Sequence, residues 1–140
     1  MILHCSFEEL TALRQGARMI LRQGARGEST VVAPPRGRRE VAALLPRLSG
    51  DVAIETLQEQ RSVLTALRTI VSRLKDEMDV SIVTTHPADE SAVTDYFLYA
   101  HSLAVLARVS AMGEEMEALI EVVTGSPVTP AVAATFVFPD

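Results

Sequence analysis

The sequence predicts an α/β fold, with α+β as its variant, in which a small three- or four-stranded sheet lies beside a dominant long helical hairpin in the order β-α-β-α-β-α-α-β. Three observations lead there. Short apolar runs alternate with helix-start signals through the first 56 residues, which suggests parallel crossover units. From Leu57 the apolar residues fall into a near-heptad spacing. After Tyr96 a second helical stretch is apolar on nearly every side. One domain, 1–140, is expected, divided into a βαβαβ part (1–56), the long hairpin (57–125) and a closing strand (126–140).

The elements follow in chain order. Residues 2–7, ILHCSF, read as a first strand. Ser6-Phe7-Glu8-Glu9 has the form of a capping box, in which a hydroxyl and a carboxylate satisfy the free amides of a new helix. That helix is expected from Phe7 to Gln23, burying Leu10, Leu13, Ala17, Ile20 and Leu21, and stopping at Gly24. Thr30–Ala33 reads as a second strand closed by Pro34-Pro35. A short helix over Arg38–Leu45 ends near Pro46, and Val52–Glu55 reads as a third strand.

Thr56-Leu57-Gln58-Glu59 is a second capping box. It opens a helix of about seven turns with Leu57, Leu64, Leu67, Val71, Leu74, Met78 and Ile82 on its seam. A connection through His86-Pro87 leads to a last helix from Pro87 to Thr124, terminated by Gly125 and Pro127. Thr129-Pro130 suits one more helical turn, and Thr135–Phe138 reads as the closing strand.

Composition narrows the function classes. Apolar residues make up 48% and the net charge is −5, which argues for a globular chain and against a dedicated nucleic-acid binder. Residues 1–50 carry eight Arg against four Glu, whereas residues 51–140 carry five basic and fourteen acidic groups. This asymmetry suggests either mutual neutralisation of the two parts or an anion site in the first. A single cysteine, no basic leader and no apolar run of about 18 residues point to a cytoplasmic protein that does not span a membrane.

The helix carrying Tyr96, Phe97, Tyr99, His101, Leu103, Val105 and Leu106 has more apolar surface than one neighbouring helix can cover. A homodimer built through the hairpin is therefore expected, with these residues at its interface. His101 near a two-fold axis would weaken the assembly as falling pH charges it.

The hexapeptide LRQGAR occurs twice, at 13–18 and 21–26, and places Arg14, Arg18 and Arg22 on one gently wrapping stripe. The sequence favours salt bridges from this stripe to Glu114, Glu115, Glu117 and Glu121 of the last helix. Arg36, Arg38 and Arg39, between a strand end and a helix start, form a second candidate for an anion.

No metal-ligand spacing, phosphate-loop glycine pattern or nucleophile triad is present. Cys5 reads as a small buried hydrophobe, and no cofactor or metal is expected. The leading functional expectation is a non-enzymatic interaction or regulatory module. A small anion-binding domain using Arg36, Arg38 and Arg39 is the alternative. A small enzyme with a site at the dimer interface around His101, Tyr96 and Tyr99 is the third.

Overall fold

The first strand ends after two residues because Ser6 and Glu9 begin a helix immediately behind it. Ser6 Oγ accepts from the Glu9 amide at 3.1 Å and Glu9 Oε1 accepts from the Ser6 amide at 2.8 Å, so the capping box forms in both directions. The computed structural model describes residues 1–25, 36–84 and 90–139. Its elements are β1 (Ile2–Leu3), α1 (Phe7–Ala25), α2 (Arg38–Leu44) with a 3-10 turn at Leu45–Arg47, β2 (Val52–Ala53), α3 (Leu57–Thr84), α4 (Glu90–Thr124) and α5 (Pro130–Thr135).

The α/β expectation is overturned: the fold is mostly helical. Among the described residues the sheet has two strands, β1 and β2, paired antiparallel with Ile2 opposite Ala53 and Leu3 opposite Val52. No parallel crossover joins them, so the ligand crevice expected at parallel strand ends does not form there. The strand expected at Thr30–Ala33 lies outside the described residues. Thr135–Phe138 is not a strand either. Thr135 closes α5, and the Phe138 amide donates to Glu55 O at 2.8 Å, two residues beyond the end of β2. One hydrogen bond is not a ladder, and Pro139 removes the next donor.

The hairpin expectation holds in its main parts. Thr56 and Glu59 cap α3, the hydroxyl accepting from the Glu59 amide at 3.1 Å and the carboxylate accepting from the Glu55 amide at 3.0 Å. Gly125, at φ 68°, stops α4 in the left-handed conformation that glycine adopts without strain. α3 and α4 lie along each other, with α1 packed on both and α2 on α1 and α3. The core runs through all of these, from Leu13 and Ile20 through Leu67, Ile70 and Leu74 to Val105, Val109, Met116 and Ile120.

Two glycines permit this packing. A Cβ on Gly16 would lie 2.6 Å from Ile70 Cγ2, so α1 approaches α3 closely at that point. A Cβ on Gly113 would lie 2.3 Å from Gln60 Nε2, where the buried Gln60 amide donates to Val109 O at 2.8 Å. The first copy of the repeated hexapeptide thus has a structural use in its Gly16-Ala17 pair, both buried.

Candidate functional site

Two surfaces stand out, and they lie on different helices. The first is the outer face of α4. At about 100° per residue, Leu98, Ser102, Val105, Val109, Gly113, Met116 and Ile120 fall on one side, and all of them are buried. Val93, Tyr96, Phe97, Ala100, Leu103, Ala104, Ala107 and Ala111 fall on the opposite side. This outer stripe carries no charge over about five turns, and acids follow it at Glu114 and Glu115. Phe97 is 55% exposed and Tyr96 57%.

The structure divides the seven residues expected at a dimer interface. Tyr96, Phe97 and Leu103 are on the exposed stripe. His101 is half-buried at its edge, stacked on the Phe97 ring with centroids 6.4 Å apart. Tyr99 and Leu106 are half-buried against the core, and Val105 is fully buried within it. Tyr96 and His101 point about 140° apart around the helix, so the tyrosines and the histidine do not converge on one site within the chain.

The second surface is a polar pocket of about 660 Å3 between α1, the start of α2 and α3. Two stripes of α3 line it at four-residue spacing: Thr65, Thr69 and Arg73, and beside them Arg68, Ser72 and Asp76. Arg36 closes the other side and Ile20 the floor. The backbone there is pinned, because Thr69 Oγ1 donates to Arg36 O at 2.8 Å. Gly37 follows at φ 89°, and a Cβ on it would lie 2.1 Å from Thr69 Oγ1.

The expected trio of Arg36, Arg38 and Arg39 is split by this arrangement. Arg36 lines the pocket, Arg38 donates to Leu21 O at 3.1 Å and so docks α2 on α1, and Arg39 is exposed outside the lining. The residues that sequence reading missed are Arg68, Ser72 and Arg73. Their signal is a polar face repeating every four residues along the same helix as the apolar seam.

The arginine stripe of α1 also departs from expectation. Arg14, Arg18 and Arg22 line a shallow groove of about 410 Å3 with Thr11, Gln15 and Met19. Among the described residues no ion pair links them to Glu114, Glu115, Glu117 or Glu121; Arg14 donates to Leu48 O, and Glu117 pairs with Arg61 at 3.3 Å. The cause is rotational. Glu9 faces α4, and the three arginines are turned about 140°, 180° and 220° from it around α1.

The ion pair between α1 and α4 has the opposite polarity. Arg108 of α4 grips Glu9 of α1 with two hydrogen bonds of 2.7 and 2.9 Å and also donates to His4 O at 2.9 Å. The Arg108 hydrogen bonds hold the Glu9 carboxyl down at about 2, despite the burial that opposes ionisation. Nearby Cys5 is half-buried, and burial, with the Glu9 charge adding to it, pushes its thiol up. A thiol so placed is a poor nucleophile at neutral pH. His4 pairs with Asp51 at 2.9 Å on the surface. Among the described residues no group of three His, Cys, Asp or Glu is placed to hold a metal ion. No helix there is long and apolar enough to cross a membrane.

No protein-family model matches this chain, and neither a curated protein nor a solved structure matches it at a significant level.

Proposed function

We propose that this chain is a non-enzymatic interaction module that pairs through the outer face of α4 with the same face of a second copy. The observation that carries the reading is the uncharged stripe from Val93 to Ala111, exposed on a chain in which 22% of residues are charged. At about 25 cal/mol per Å2, covering Val93, Tyr96, Phe97 and Leu103 of both copies stabilises the pair by several kcal/mol before association entropy is deducted.

The sequence of the stripe favours an antiparallel pairing. Parallel helices would bring Glu114, Glu115 and Glu121 against their own copies, and like charges at close range repel. A two-fold axis at Leu103 and Ala104 instead sets Tyr96 level with Ala111 and Ala100 level with Ala107. The Tyr96 ring then meets a small residue, and the alanines let the backbones approach. This is the self-complementary surface that a two-fold interface requires.

Light scattering on the eluting protein at micromolar concentration tests the reading. The expected mass is about 30 kDa, twice the 15.2 kDa of one chain. A mass of 15.2 kDa for the unaltered protein overturns it.

A further inference from the structure

We propose that the pocket between α1, α2 and α3 binds a small phosphorylated molecule, with its phosphate held by Arg36 and Arg68 and its organic part reaching Asp76. The proposal is independent of the pairing through α4, because none of the pocket's lining residues lies on α4.

Donors exceed acceptors in this pocket. Among the described residues neither Arg36 nor Arg68 forms an ion pair, although the chain holds 18 acids and carries a net charge of −5. Arg73 engages Glu77 through Nη2 at 2.7 Å, and among the described residues its buried Nε–H has no acceptor. Unsatisfied donors are costly, about 1–3 kcal/mol when buried, and a pocket wall with three guanidiniums, two of them outside any ion pair among the described residues, is suited to an anion. The Ser72 hydroxyl adds a donor one turn from Arg68. The hydroxyls of Thr65 and Thr69 are already committed to backbone carbonyls, at 3.0 and 2.8 Å. They shape the wall without adding donors.

Two features define the ligand further. Guanidinium forks match the oxygens of a phosphate in pairs, and the hydrogen bond from Thr69 to the Arg36 carbonyl fixes the backbone from which one fork extends. A volume of about 660 Å3 exceeds a lone phosphate, whose own volume is on the order of 100 Å3, and falls in the range of small-metabolite sites. Asp76, also without an ion-pair partner among the described residues, would repel a second anionic group and accept from hydroxyls. A phosphomonoester of a hydroxyl-bearing molecule satisfies both ends.

Calorimetric titration of the full chain with ribose 5-phosphate, inorganic phosphate and ribose at constant ionic strength tests this. Saturable binding of ribose 5-phosphate is expected, tighter than that of inorganic phosphate, with none for ribose. Arg36→Ala and Arg68→Ala should each weaken it at least tenfold, and Ser72→Glu should abolish it. Arg39→Ala, outside the pocket, should change it less than twofold. Circular dichroism melts of each variant confirm that it is folded before its titration is read. Three results overturn the proposal: no saturable binding of ribose 5-phosphate, inorganic phosphate binding as tightly, or binding retained in both arginine variants.

Discussion

Helices α3 and α4 pack along one another, yet their outer faces have opposite chemistry. The outer side of α3 carries Arg68, Ser72 and Asp76, and water or a polar ligand satisfies it. The outer side of α4 carries Val93, Phe97, Leu103 and a row of alanines, which water does not satisfy. The seam on α3 is buried as far as Leu74, and Ile82, expected on it, is exposed with Val80 and Val83, whereas the buried seam on α4 accounts for half of that helix along its length. The difference teaches that amphipathicity has to be judged on the face left over after packing: α4 packs on both α3 and α1 and still leaves an apolar face exposed.

Charge placed on the two outer faces separates them most sharply. Ala104→Glu sets an acid in the middle of the apolar stripe and opposite its own copy. It should weaken self-association at least a hundredfold, seen as a fall from about 30 kDa to 15.2 kDa in light scattering at micromolar protein. The equivalent charge on α3, Ser72→Glu, should leave the mass unchanged. Equal effects of the two substitutions would break the contrast.

The attachment of α4 to α1 comes next in size. Glu9→Gln removes the carboxylate that Arg108 grips and should cost about 1–3 kcal/mol at pH 7, the lower part of that range reflecting the exposure of Arg108. Because the folded carboxyl titrates at about 2, below its ordinary value of 4.5, the pair's contribution is complete above about pH 4.5 and fades as pH falls toward 2. Urea unfolding of both proteins from pH 7 to pH 2.5 should show their stabilities converging in acid. A constant difference across that range would mean that Glu9 acts through packing alone.

Smaller effects probe the α3–α4 seam itself, where two polar groups are buried with different outcomes. Gln60 is satisfied by Val109 O, and Gly113 leaves the space for its amide. Gly113→Ala should destabilise by about 1–2 kcal/mol, the clash with Gln60 outweighing the roughly 1 kcal/mol gain in helix propensity. Ser102 Oγ, fully buried, has no hydrogen-bond partner among the described residues. Ser102→Ala should therefore be neutral or stabilising by up to about 1 kcal/mol in the same unfolding assay. A loss of stability on that change would show that the hydroxyl has a use the static arrangement does not reveal.

The sequence by itself determined the helices, the caps of α1 and α3 and the stop of α4, whereas α1 runs past the stop expected at Gly24 to Ala25. Ser6 with Glu9, Thr56 with Glu59, and Gly125 act within one turn, so the information that specifies them is contiguous. It also determined that α4 would be apolar beyond what one neighbour covers. The strands were misjudged because short β-prone runs such as residues 135–138 become strands only when a neighbouring edge offers a continuous ladder, and these find two residues or a single hydrogen bond.

Tertiary structure alone decided which face of each helix meets which neighbour. A rotation of about 140° around α1 turned Arg14 away from the acids of α4 and gave α4 to Glu9 instead. The docking of Arg38 on Leu21 O split an arginine trio and left Arg36 to join Arg68 and Arg73, more than thirty residues further along the chain. Local spacing carries the period of a helix but not its absolute rotation, and that rotation is set by how side chains from distant segments fill one core.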